Sequence, residues 1–111
     1  MTENALSKYA VVFDKRSYGW TTDLKVCLMF LKHLEAHCNE LLQARGWLFL
    51  RDVYEKLGLP VTRDSCLVGW IYEEENKLGD NYVRFDIRDN SEDKESYVID
   101  FNVDGNIIDR I

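Results

Sequence analysis

The apolar residues of this chain change their spacing once, and that change constrains the fold more than any other feature. From Leu24 to Leu57 they recur at three- and four-residue steps, which is the period of one helix face. From Leu67 onward they come first as a short run and then in alternation with polar residues, which is the period of a strand. Helices followed by a run of strands is an α+β order, with the helices on one face of an antiparallel sheet. The 111 residues are expected to form a single domain, 1–111, with 1–20 as a loosely attached N-terminal segment.

The first helix is the most strongly marked element. Leu24, Cys27, Leu28, Leu31, Leu34, Cys38, Leu41 and Leu42 form one stripe, opposite Lys25, Lys32, Ala36, Glu40 and Gln43. Thr21, Thr22 and Asp23 offer side-chain oxygens to the unpaired N–H groups of its first turn. Gly46 stands just past its end, near Ala44, where a left-handed residue closes a helix. Leu50, Val53, Tyr54 and Leu57 predict a short second helix over about 48–57, stopped by Gly58 and Pro60. The run from Tyr9 to Phe13 fits either a short strand or one helical turn.

Three or four strands follow. Leu67 to Tyr72 is an apolar run, and Tyr82, Val83, Phe85 and Ile87 alternate with Arg84, Asp86 and Arg88. Tyr97 to Asn102 and Asn106 to Ile111 flank Asp104-Gly105, a dipeptide suited to a hairpin turn because Gly accepts positive φ without a Cβ clash. The expectation is one long and one short helix on one face of an antiparallel meander that ends in a β-hairpin. Arg84, Asp86, Arg88, Asp100, Asn102 and Asp109 would then point away from the helices.

Charge follows the same division. From Ile71 to Ile111 there are twelve acids and five bases, against eight and nine from Met1 to Trp70, so the net charge of −6 belongs to the strand half. An acidic chain is poorly suited to direct nucleic-acid binding, which needs clustered Lys and Arg to neutralise phosphate. Cys27, Cys38 and Cys66 are odd in number and lack a CxxC spacing, which points to free thiols rather than disulfides or zinc ligands. Met1 to Leu6 has no basic stretch leading into an apolar run, and no apolar run approaches the length of a membrane span. A cytoplasmic protein is expected.

No GxSxG, phosphate-loop or GxGxxG motif is present. Three other patterns have simpler readings. Asp100-Phe101-Asn102-Val103-Asp104-Gly105 matches the opening half of a calcium loop, but the bidentate acid due at the twelfth position would be Ile111. His33 and His37 share a helix face and lack a third ligand nearby, as a solvated pair would. Trp20, Trp47 and Trp70, each preceded by Gly, are core candidates, with an interface anchor as the alternative for any one that is exposed.

Leu50-Arg51-Asp52-Val53-Tyr54-Glu55-Lys56-Leu57-Gly58-Leu59-Pro60, then Val68-Gly69-Trp70, Asp80-Asn81-Tyr82-Val83 and Ile99-Asp100-Phe101-Asn102-Val103-Asp104-Gly105 occur in that order. Over residues 48–108 this resembles a family of small proteins of unknown function from bacteriophages and conjugative or integrative elements of Gram-positive bacteria. The resemblance implies a mobile-element origin and carries over no functional residue. Small acidic proteins of such elements often bind a host or element protein, sometimes as inhibitors of defence nucleases.

The reading that follows is a non-enzymatic accessory protein, without cofactor or metal, that binds another protein through an acidic sheet face. Its contact residues would be Asp86, Asp100, Asp104 and Asp109, presented to a basic partner such as a host DNA-binding or defence protein. One alternative is self-association, for instance as a homodimer, with Asn106 to Ile111 pairing between copies as an edge strand. The other is a calcium-binding module at residues 100–106.

Overall fold

The structure is a computed structural model that describes residues 7–21, 23–73, 79–89 and 96–108. It is an α+β arrangement of two helices and two antiparallel three-stranded sheets. The elements in chain order are β1 (Val11–Phe13), α1 (Leu24–Arg45), β2 (Trp47–Phe49), α2 (Leu50–Lys56), a 3₁₀ turn (Asp64–Cys66), β3 (Val68–Ile71), β4 (Phe85–Asp89), β5 (Tyr97–Phe101) and β6 (Gly105–Asn106). The first sheet has the order β1-β5-β4 and the second β2-β3-β6.

The first helix forms as its stripe and caps require. Asp23 Oδ1 accepts the Lys25 N–H at 3.0 Å. Gly46, at φ 86°, closes the far end with its N–H on the Leu42 carbonyl; a Cβ there would strain the left-handed turn. Cys27, Leu31, Leu34, Cys38 and Leu42 are buried, whereas Leu28 is exposed. The buried stripe shares one core with Phe13, Phe85, Tyr97, Ile99 and Phe101 from the first sheet, and with Leu50, Val53, Tyr54 and Leu57 around α2. Sheet and helix are thereby the two layers of the main core.

The strands depart from a single meander. Trp47–Phe49, read as the entry to the second helix, is a strand that pairs Leu48 with Trp70. Gly69 permits this pairing: a Cβ at that position would overlap the Leu48 carbonyl oxygen. Asp104-Gly105 does not close a hairpin between two strands of one sheet. It carries the chain from β5 in the first sheet to β6 in the second, where Gly105 pairs with Gly69 and Asn106 with Val68. Of the expected last strand, Asn106 to Ile111, only Asn106 among the described residues lies in a strand, and 109–111 lie outside the described residues. The N-terminal run Val11–Phe13 is a strand of the first sheet, in register with Ile99, Val98 and Tyr97.

The second sheet is apolar on both faces. Leu48, Val68 and Trp70 join the main core, while Phe49, Ile71 and Ile107 form a smaller cluster with Trp47. This explains why every residue of β3 is buried. Of the three tryptophans, Trp70 is fully buried, and Trp20 and Trp47 are partly buried against the two clusters. Among the described residues, no helix is long and apolar enough to cross a membrane.

Candidate functional site

The outer face of the first sheet is built by strand alternation. On β5, Tyr97, Ile99 and Phe101 turn inward, leaving Val98 and Asp100 on the other side. On β4, Phe85 turns inward and Asp86 and Arg88 outward. Register places Asp86 directly opposite Asp100. Like charges in that relation repel at close range, and each carboxylate has its own compensation. Asp86 Oδ2 meets the Arg88 guanidinium at 2.7 Å. Asp100 accepts the Ser7 N–H at 2.7 Å and the Ser7 hydroxyl at 2.5 Å.

The Asp100 acidity follows from these contacts. Partial burial alone would raise its pKa. The hydrogen bonds from the Ser7 hydroxyl, the Ser7 N–H and the Phe101 N–H, with the charge of Arg88, outweigh burial and leave it below the ordinary aspartate value. The carboxylate is therefore held in its charged form. Arg84, Asp86, Asp100, Phe101 and Asn102 surround a shallow depression of about 120 Å³.

Asp104 lies apart from this pair. Its Oδ2 accepts the Ile71 N–H at 2.9 Å, its own N–H bonds the Gly69 carbonyl at 2.8 Å, and its carboxyl group is packed so closely on Gly79 that a Cβ there would overlap it. Asp104 therefore ties the crossover into β3. Asp109 lies outside the described residues. Of the four acids expected at a contact, the structure brings together Asp86 and Asp100.

Asn102 joins the sheets. Its Oδ1 accepts from Trp70 Nε1 at 3.0 Å and from the Arg84 N–H at 2.6 Å, and its Nδ2 donates to Asp80 Oδ2 at 3.1 Å and the Tyr82 carbonyl at 2.9 Å. Asp100, Asn102 and Asp104 thus address three different sets of N–H donors rather than one centre. His33 and His37 are both exposed on α1.

Two groups of residues carry no sequence signal of their role. Glu35 and Asn39 on α1 bond the backbone beside β4. The Phe85 N–H donates to Glu35 Oε2 at 2.7 Å, while Asn39 accepts the Val83 N–H at 2.7 Å and donates to the Val83 carbonyl at 2.9 Å. Helical polar positions of this kind read as a solvated face. The second group lines a concavity of about 730 Å³ between β1 and the segment after α2, and includes Tyr9, Val11, Val12, Tyr54, Leu59 and Pro60. Asp86, Asp100 and Asp104 do not line it.

Fold and site together define a small α+β protein with two antiparallel sheets and a polar, charge-paired outer face. The chain belongs to a family of unknown function, DUF6353, whose model matches residues 1–111. Neither a curated protein nor a solved structure matches the chain.

Proposed function

We propose that this protein is a non-enzymatic binding protein that docks a basic surface of another protein on the outer face of its first sheet, around Asp86 and Asp100. The observation that carries the reading is the cross-strand pairing of these two acids. Setting like charges opposite each other costs stability, and the chain offsets that cost with Arg88 and Ser7 instead of replacing one acid. Two fixed carboxylates on an open strand face suit guanidinium or ammonium groups of a partner better than they suit a small substrate. The wider acidic half of the chain would steer such a partner from a distance. A DNA-binding or defence protein of the host has the required basic surface. An inhibitor carried by a mobile element would fit both that target and the resemblance over residues 48–108.

The test is capture from a Gram-positive cell lysate by the tagged chain, beside a double variant, Asp86→Asn with Asp100→Asn. One dominant basic partner, lost with the variant and released as salt screens the charges, is the expected result. A partner retained equally by the variant would move the contact off this face. Recovery of the chain alone would favour self-association.

A further inference from the structure

The two edges of the first sheet present different main-chain groups, and register decides which. On the β4 side, the N–H groups of Val83 and Phe85 point to Asn39 and Glu35 on α1, while the Arg84 N–H points the opposite way, to Asn102. N–H and C=O directions alternate along a strand. Asp86 and Arg88 therefore bond their register partners Asp100 and Val98 on β5. That leaves Ile99 and Tyr97 to bond Val11 and Phe13 on the other side. The N–H and C=O of Val12 consequently point out of the sheet at the free edge of β1. Among the described residues, no hydrogen bond reaches them.

The flanking N–H groups are occupied. The Ala10 N–H bonds the Ser7 carbonyl at 3.2 Å, the Asp14 N–H bonds Ser17 Oγ at 3.2 Å, and the Tyr9 carbonyl accepts from the Tyr54 hydroxyl at 2.8 Å. The open Val12 pair thus lies between the bonded N–H groups of Ala10 and Asp14. Alongside it runs the concavity of about 730 Å³, with Tyr54, Leu59 and Pro60 on the side of α2. That size suits a short extended segment. Among the described residues, four charged side chains line it, two acids and two bases, and each is already in an ion pair: Lys8 with Asp64 at 3.5 Å, and Arg16 with Asp14 at 2.7 Å. The complementary occupant therefore carries no net charge at the contact.

We infer that this groove takes an extended, uncharged peptide segment of a partner protein, which joins the first sheet as a fourth strand beside β1. Its backbone bonds the Val12 N–H and C=O, and one apolar side chain faces Tyr54 and Leu59. Strand addition of this kind draws affinity from main-chain bonds and selectivity from alternate side-chain pockets. A second copy of the chain is a poorer occupant, because the β1 edge that it would offer lies in its own groove beside Leu59 and Pro60. The site shares no residue with the acidic face, so the two readings stand or fall separately.

The test is selection of random octapeptides displayed on phage against the full chain. Enriched sequences are synthesised with blocked ends and titrated into isotope-labelled protein. The expected peptides are apolar at alternate positions and slow exchange of the Val12 amide. Val12→Pro removes the donor on an edge where no ladder bond uses it, and is expected to weaken binding about tenfold. Pro60→Asp, at an exposed wall position, weakens it independently. Asp86→Asn, which keeps the Asp100 tether to Ser7, leaves it unchanged. Failure of any peptide to enrich over the support, or enriched peptides that leave Val12 exchange unaltered, would overturn the inference. A dimer that protects Val12 without peptide would overturn it in favour of a second copy.

Discussion

The two edges of the first sheet solve one problem in opposite ways. Beside β4, the amide of Asn39 and the carboxylate of Glu35 take the places that a further strand would fill. Beside β1, the Val12 pair is left to a groove. An exposed strand edge invites pairing with other chains, and proteins commonly cover or charge such edges. Here helix side chains close the start of one, at Val83 and Phe85, and the other is kept short, with three residues in the strand. The difference shows that edge protection can come from helix side chains at ordinary surface spacing, and that an edge left open beside a groove is a candidate for use.

The comparison breaks most sharply at Asn39. Val83 is buried, so Asn39→Ala strands both its N–H and its C=O away from water. The expected loss of stability is about 3 kcal/mol, because each buried group left without a partner costs on the order of 1–3 kcal/mol. Denaturant titration measures it directly, and a loss within experimental error would mean that α1 does not close this edge. Glu35→Ala removes one charge-assisted bond to the Phe85 N–H and should cost about 1.5 kcal/mol by the same assay.

pH sharpens the contrast, because the chain leading into β1 is held by titrating groups and Val83 is held by an amide. Burial, then the charge of Asp100, pushes the Tyr54 hydroxyl up to about 12 from its ordinary 10. A raised pKa on a group that is neutral when protonated means that the unfolded chain loses the proton first. The stabilisation is complete below pH 10 and fades as pH rises towards about 12, by a total on the order of 2 kcal/mol. Burial does the same to the Cys38 thiol, also pushed up to about 12, so stability should fall through the whole alkaline range. Asp100 works in the other direction. Its pKa lies below the ordinary value, so the unfolded chain binds a proton first, and the Ser7 tether is lost as pH falls below about 4. Thermal melts across both limits would show this. A flat profile above pH 10 would remove Tyr54 as an anchor of the β1 side.

The smallest effect should come from Val12→Pro in the free chain. Its N–H serves no ladder bond and the residue is 41% exposed, so the stability change should stay under about 1 kcal/mol. A loss comparable to that of Asn39→Ala would mean that the Val12 N–H is used within the fold.

Much of the fold was legible because its signals are local. The Asp23 and Gly46 caps, the α1 stripe and the alternation through Phe85, Asp86, Ile87 and Arg88 each follow from neighbouring residues. So did the outward placement of Asp86 and Asp100. The misplaced parts depend on distant partners. Trp47-Leu48-Phe49 is apolar enough for a helix start or a strand, and only its pairing with β3 decides. Asp104-Gly105 has hairpin chemistry, yet the Asp104 carboxylate and N–H are bound by Ile71 and Gly69, which pulls the following residues into the second sheet. Asp104 accordingly looked like a surface acid and serves as a tie. Asn39 and Glu35 give no warning at all, since nothing in a helical pattern reports that a strand edge lies opposite.

Amide hydrogen exchange of the free chain, read residue by residue, tests the two-edge account most directly. The Val83 and Phe85 amides should exchange slowly, near the rate set by global opening, and the Val12 amide should exchange orders of magnitude faster. A Val12 amide as protected as that of Val83, in a monomeric chain without ligand, would contradict the open edge and with it the proposed groove.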